Sequence, residues 1–198
     1  MPLDQFVLLC LFVVALVGTP GPANLSLMAA GVSFGARATL PFLFGTLAGF
    51  ELIFVLNAAG LLALLQKAPL LWQALRLVCV AYIVYLAIVI VRARPKSGAV
   101  ADNAPGFWRG FWLHPLNPKA YAMQVAGIAQ FASPERYVAD AVVLALTFLL
   151  LGGSLNAGWM AGGRLLARLA GRPTRLWAVN ATLAVLMVAS TIASLHLA

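Results

Sequence analysis

The sequence predicts an all-α integral membrane protein that crosses the bilayer about six times, as a 3+3 inverted repeat with a broken first and a broken fourth helix. Three observations carry this reading. Of 198 residues, 63% are hydrophobic and only 9% are charged, whereas an ordinary globular domain carries roughly 25% charged residues. Apolar runs long enough for ~30 Å of hydrocarbon recur along the chain, and the mean hydropathy is +0.98. Twice, a cluster of proline and asparagine interrupts such a run.

The elements follow in order. Phe6–Val17 is apolar but spans only roughly 18 Å as a helix. Asp4 precedes it, with no basic residue and no small-residue cleavage site following, so it reads as part of the mature protein rather than a signal peptide. Thr19-Pro20-Gly21-Pro22-Ala23-Asn24 then breaks the helix, because proline lacks an N–H and its ring clashes with the preceding turn. Leu25–Gly35 resumes it, giving one crossing made of two half-helices. Pro41–Leu65 and Leu70–Val91 are expected as the second and third crossings. The polar stretch 94–106 connects the halves on the cytoplasmic side. Phe107–Phe131 is the fourth crossing, interrupted at His114-Pro115-Leu116-Asn117-Pro118-Lys119, and Tyr137–Trp159 and Leu176–Leu197 complete the set. The chain is thus one transmembrane domain, 1–198, with halves 1–93 and 107–198.

The net charge of +8 is carried in the gaps between apolar runs. Arg37, the group Arg92, Arg94, Lys96, Arg109 and Lys119, and the group Arg164, Arg168, Arg172 and Arg175 lie on one side; Lys67, Arg76 and Arg136 lie on the other. Basic loops stay in the cytoplasm, so both termini are expected outside. The first and fourth crossings then run in opposite directions, as an inverted repeat requires. Nucleic acid is not an expected partner, since no basic run is interleaved with exposed aromatics. Cys10 and Cys79 sit inside apolar runs without metal-ligand spacing, and no metal or cofactor is expected.

Broken helices at membrane depth are costly unless their freed backbone groups are buried in protein or line a cavity. Paired breaks in the two halves of a secondary transporter often mark the substrate site. A half-helix N-terminus offers free N–H groups and a partial positive charge, which suit a carboxylate. The candidate binding residues are therefore Pro20, Gly21, Pro22 and Asn24 at the first break and Asn117, Pro118 and Lys119 at the second. Each asparagine can cap its helix or bond the ligand. Lys119 can hold a carboxylate, pair with Glu51 or snorkel to the surface. Glu51 is the acidic residue deepest in an apolar run; it can pair with Lys119 or Arg76, bind a substrate ammonium or carry a proton. Tyr82, with Tyr85 three residues on, is a candidate lining residue, although tyrosine also favours membrane interfaces. No phosphate-binding glycine loop and no Ser/His/Asp arrangement is present, so ATP hydrolysis and a membrane-embedded lipid enzyme are poor readings.

GTPGPANLSLMAAGVSFGARATLPFLFGTLAG (18–49) resembles the amino-terminal signature of the lysine exporter family, the LysE/RhtB-type amino-acid translocators. The resemblance rests on Thr19–Pro22, Gly31, Gly35, Arg37, Gly45 and Gly49. FWRGFWLHPLNPKAYAM (107–123) resembles the family's second hallmark through Gly110, Asn117, Pro118, Lys119 and Ala120, and AYIVYLAI (81–88) its third helix. The resemblance implies a multi-pass protein of the bacterial inner membrane that exports amino acids, driven by the proton gradient or by exchange. The implied partners are an amino-acid substrate and membrane lipid, with a homodimer left open. The competing readings are a small-solute channel or a structural subunit of a membrane complex.

Overall fold

The computed structural model describes residues 1–92 and 104–197, and these are mainly helical with no strand. The order is α1 (Leu3–Gly18), α2 (Pro22–Ala58), α3 (Leu61–Gln66), α4 (Pro69–Arg92), α5 (Phe107–Phe111), α6 (Pro118–Phe131), α7 (Tyr137–Thr147), a π-helical turn (Phe148–Gly152), α8 (Gly153–Ala170) and α9 (Pro173–Leu197). Four stretches among the described residues are long and apolar enough to cross a membrane: Pro22–Ala58, Pro69–Arg92, Pro134–Ala170 and Thr174–Ala193. Large apolar side chains point outward along them, with Leu70 81%, Leu77 72% and Val138 75% exposed. Such a surface is stable against lipid rather than water.

The helix ends follow from local sequence. A residue before proline is driven out of the α region. Thr19, before Pro20, is extended at φ −69°, ψ 133°, and Gly21, before Pro22, is extended at φ −152°, ψ 173°. Asn117, before Pro118, is extended at φ −137°, ψ 103°. Pro22 and Pro118 then occupy the first helical turn, where a missing N–H costs nothing. The first break is therefore Thr19–Gly21, with Asn24 already inside α2. The second runs from Trp112 to Asn117.

The expected second crossing, Pro41–Leu65, is placed differently. The helix ends at Ala58, Gly60 turns left-handed (φ 93°), and Leu61–Gln66 is a separate short helix. A second departure lies inside α2. Gly35 has φ 77°, ψ 164°, a region open essentially only to glycine. The segments on either side of it run in opposite senses along α8. Before it, Asn24 shares a cavity with Asn156 and Met28 lies against Gly163. After it, Leu47 lies against Gly153 and Phe54 against Phe148. One glycine thus reverses the chain and converts a 37-residue helical stretch into a hairpin. The expected fifth span, Tyr137–Trp159, extends to Ala170 and contains the π-helical turn. The connector 94–106 lies mostly outside the described residues.

Two backbone-to-backbone contacts hold the helices in place. A Cβ on Gly31 would lie 2.2 Å from the Met160 carbonyl oxygen, and one on Gly163 2.0 Å from that of Met28. The other contact joins α2 to α5: a Cβ on Gly45 would meet the Phe107 oxygen at 1.9 Å, and one on Gly110 the Phe42 oxygen at 2.0 Å. Small residues allow this approach, and helices in lipid associate largely through such packing. Two apolar clusters fill the interior. One joins α2, α4 and α9 around Leu27, Phe42, Ile83 and Met187. The other joins α1, α2, α6 and α7 around Leu9, Val13, Ile53 and Leu144.

Gly45→Ala should therefore prevent native packing of α5 on α2, because a backbone atom cannot swing aside as a side chain does. Gly158, with nothing within 4 Å of an added Cβ, is the control: Gly158→Ala should be neutral or stabilise by roughly 1 kcal/mol through helix propensity. Thermal unfolding of both variants in detergent distinguishes them, and equal melting profiles would disprove the assignment.

Candidate functional site

Each break leaves backbone groups that the helix no longer satisfies. At the first, the Asn24 side chain turns back and donates through Nδ2 to the carbonyls of Val17 (2.5 Å) and Thr19 (3.1 Å), closing the C-terminal end of α1. At the second, Asn117 Oδ1 accepts from the Lys119 backbone N–H at 3.1 Å, an N-cap on α6. Tyr121 donates to the Pro115 carbonyl at 2.9 Å. Gln124, fully buried, donates to the Phe50 carbonyl at 2.9 Å and accepts from Asn57 at 2.8 Å, tying α6 to α2.

The two breaks meet. Lys119 Nζ lies 3.3 Å from where a Cβ on Gly21 would sit, so the ammonium covers the first break. It has neither snorkelled to a surface nor paired with Glu51, since no ion pair links the two. Between the breaks lies a cavity of about 40 Å³, measured as space open to the centre of a water molecule. One water needs roughly 10–15 Å³ on that measure. Gly21, Pro22, Asn24, Asn117 and Lys119 from the sequence-predicted set line it. Apolar walls come from Leu47, Phe50, Met123 and Phe148. The cavity sits at mid-length of Pro134–Ala170, beside the π-helical turn, a feature that recurs at functional sites.

Other predicted residues lie elsewhere. Pro20 and Pro118 shape the breaks without lining the cavity. Glu51 is one residue beyond Phe50 and does not line it either; its Oε1 is buried without a hydrogen-bond partner. The Tyr82 hydroxyl donates to the Arg109 carbonyl, and its ring packs on Tyr85. Tyr82 therefore ties α4 to α5 away from the cavity.

Two further lining residues lie outside the sequence-predicted set. His114 is 6% exposed, packs edge-on against Phe50 with ring centroids 4.9 Å apart, and neither of its nitrogens has a hydrogen-bond partner. Asn156 is also 6% exposed, and its Oδ1 has no partner. The available signal was a histidine inside a broken span and an asparagine inside an apolar one. Among the described residues no group of His, Cys, Asp and Glu could hold a metal ion.

The model of the LysE type translocators matches residues 14–195. The chain belongs to this family: it is a multi-pass membrane transporter and not an enzyme. Among curated proteins it is similar to the cysteine/O-acetylserine efflux protein of Klebsiella pneumoniae, 28% identical over 152 residues, which cover 76% of this chain and 78% of that protein. The protein of the same name from Escherichia coli O1:K1 is 29% identical over 171 residues, covering 86% and 87%. That of Salmonella typhi is 28% identical over 151 residues, covering 76% and 77%. No solved structure matches the chain.

Asn24→Ala should strand the Val17 and Thr19 carbonyls and destabilise the protein by about 1–3 kcal/mol, whereas Asn117→Ala removes one cap and should cost about 1 kcal/mol. Denaturation in detergent measures both. A smaller loss for Asn24→Ala than for Asn117→Ala would contradict this account of the first break.

Proposed function

We propose that the chain is a secondary exporter of amino acids in the bacterial inner membrane, working by alternating access and coupled to the proton gradient or to exchange. The observation that carries this reading is the meeting of the two broken helices around one cavity, with the Lys119 ammonium between them. The N-termini of α2 and α6 add partial positive charge beside it, and together they suit a substrate carboxylate. The similar proteins are named for efflux of cysteine and O-acetylserine, and both of these carry an α-carboxylate.

In this reading α1 with the start of α2 makes the first crossing, the rest of α2 the second, α4 the third, α5 with α6 the fourth, α7 with α8 the fifth and α9 the sixth. Support for an inverted repeat comes from the helix contacts. An exchange of first with fourth and second with fifth carries the Gly31–Met160 contact onto a contact between the second and fourth crossings. Such a contact exists at Gly45–Phe107. With basic loops inside, both termini lie outside. Pro20, Gly21, Pro22, Asn24, Asn117, Pro118 and Lys119 form the substrate site in this proposal, the two outer prolines by shaping backbone. Glu51 and Tyr82 act from outside the cavity, Glu51 as a coupling carboxylate and Tyr82 by tying α4 to α5.

Proteoliposomes holding the full chain and loaded with labelled L-cysteine under reducing conditions should show saturable efflux, accelerated by a pH gradient or by external amino acid. Lys119→Gln should raise the half-saturation concentration by roughly ten- to a hundredfold, the worth of one charge-assisted hydrogen bond. Flux that neither saturates nor responds to a gradient would favour a channel instead.

A further inference from the structure

We propose that the groove between α4 and α9 is a binding site for one anionic phospholipid, with an acyl chain along the groove and the headgroup on Arg92. The site is independent of which solute the protein carries. It starts from the shape of the surface. α4 packs directly on α9, and beside that contact runs an open groove of about 630 Å³, on the measure used for the cavity between the breaks. Ala87 and Ala184 are buried and make its floor, while Val84, Ile88, Val185 and Ile192 are exposed and make its rims. Small side chains between larger ones leave a furrow where a smooth helix face would otherwise meet lipid.

The lining is apolar except at Arg92. This arginine is exposed and forms no ion pair among the described residues. α4 spans 24 residues, roughly 36 Å of helix against ~30 Å of hydrocarbon. Its last residue therefore reaches headgroup level, while the groove beside the preceding turns lies at acyl-chain depth. In the orientation proposed above, this is the cytoplasmic leaflet. A furrow at chain depth that ends in an unpaired cation at headgroup level matches a lipid of negative charge. The chain gains dispersion contacts from the floor and both rims. The guanidinium binds phosphate oxygens through paired N–H donors, and a net negative headgroup adds Coulomb attraction.

A second copy of the chain suits this face less well. α4 and α9 carry no aspartate or glutamate. The carboxylates of the described residues lie on α1, α2, α7 and the short turn before α7. A two-fold pair formed through the groove would bring Arg92 of each copy to the same depth with no counter-charge between them. An anionic lipid supplies that charge.

Native mass spectrometry of the full chain in detergent, titrated with phosphatidylglycerol or with phosphatidylcholine of the same acyl chains, tests this. The wild type should hold one phosphatidylglycerol roughly fivefold more tightly than phosphatidylcholine, the worth of one basic residue at an anionic headgroup. Arg92→Gln should remove that preference. Arg168, exposed near the end of α8 and outside the groove, is the control, and Arg168→Gln should keep it. Ala189 lines the groove from an exposed position, so Ala189→Trp should fill the furrow and weaken retention of either lipid about tenfold through lost chain contacts, with a wild-type melting profile. Ala181→Leu, a smaller intrusion into the same groove, should act in the same direction. Equal binding of the two lipids overturns the proposal, as does a preference that survives Arg92→Gln. Equal loss in Arg92→Gln and Arg168→Gln also overturns it, by showing diffuse attraction to a basic surface. Unchanged retention in both groove-filling variants has the same meaning. A dimer that forms without lipid and disappears in Ala189→Trp overturns it by placing a second copy in the groove.

Discussion

Backbone polar groups cannot be left bare in hydrocarbon, and the site depends on that constraint. Thr19, Gly21 and Asn117 each precede a proline and are pushed out of the helical region. Each departure frees carbonyls or N–H groups that must find partners. The chain answers with short, local bonds: Asn24 to Val17 and Thr19, Asn117 to Lys119, Tyr121 to Pro115. The two breaks also lie against each other, so their polar surfaces share one partly open cavity instead of facing lipid separately. A cavity at the junction of the two apolar clusters follows from that arrangement.

Holding the breaks together needs helices that approach more closely than side chains allow. Gly31 with Gly163, and Gly45 and Gly49 with Gly110, bring backbones into direct contact on two sides of the cavity. Gly35 makes the arrangement possible by reversing the chain at a single residue. The first segment of α2 can then accompany α8 in one direction while the second segment returns beside α5 and α6. The glycines therefore set where Pro22 and Lys119 stand, although most of them never touch the cavity.

The sequence made the breaks legible because proline and asparagine act locally, through their own dihedrals and hydrogen bonds. It also made the long apolar runs legible, since lipid imposes length and hydropathy on each run separately. The reversal at Gly35 was hidden because the helix resumes immediately on either side and no polar loop marks the turn. The end of α2 at Ala58 was hidden for a related reason, since Leu61–Leu65 continues the apolar character past Gly60. Glu51 drew attention by its charge, but the cavity takes Leu47 and Phe50 from the same helix, and a residue one step on points about 100° away from Phe50. His114 and Asn156 stayed outside the candidate set for the opposite reason: each is a single polar residue whose meaning depends on which other helix it lies against.

Lys119 shows why neighbours outweigh residue type here. Read alone, it had three uses of similar merit: surface snorkelling, pairing with Glu51 or holding a ligand. The fold removes the first by placing Nζ over Gly21 and the second by forming no ion pair with Glu51. What remains is an ammonium beside two helix N-termini, all of one electrical sign, with no carboxylate lining the space. A half-buried cluster of positive character is unfavourable by itself, and an anionic group entering the cavity relieves it.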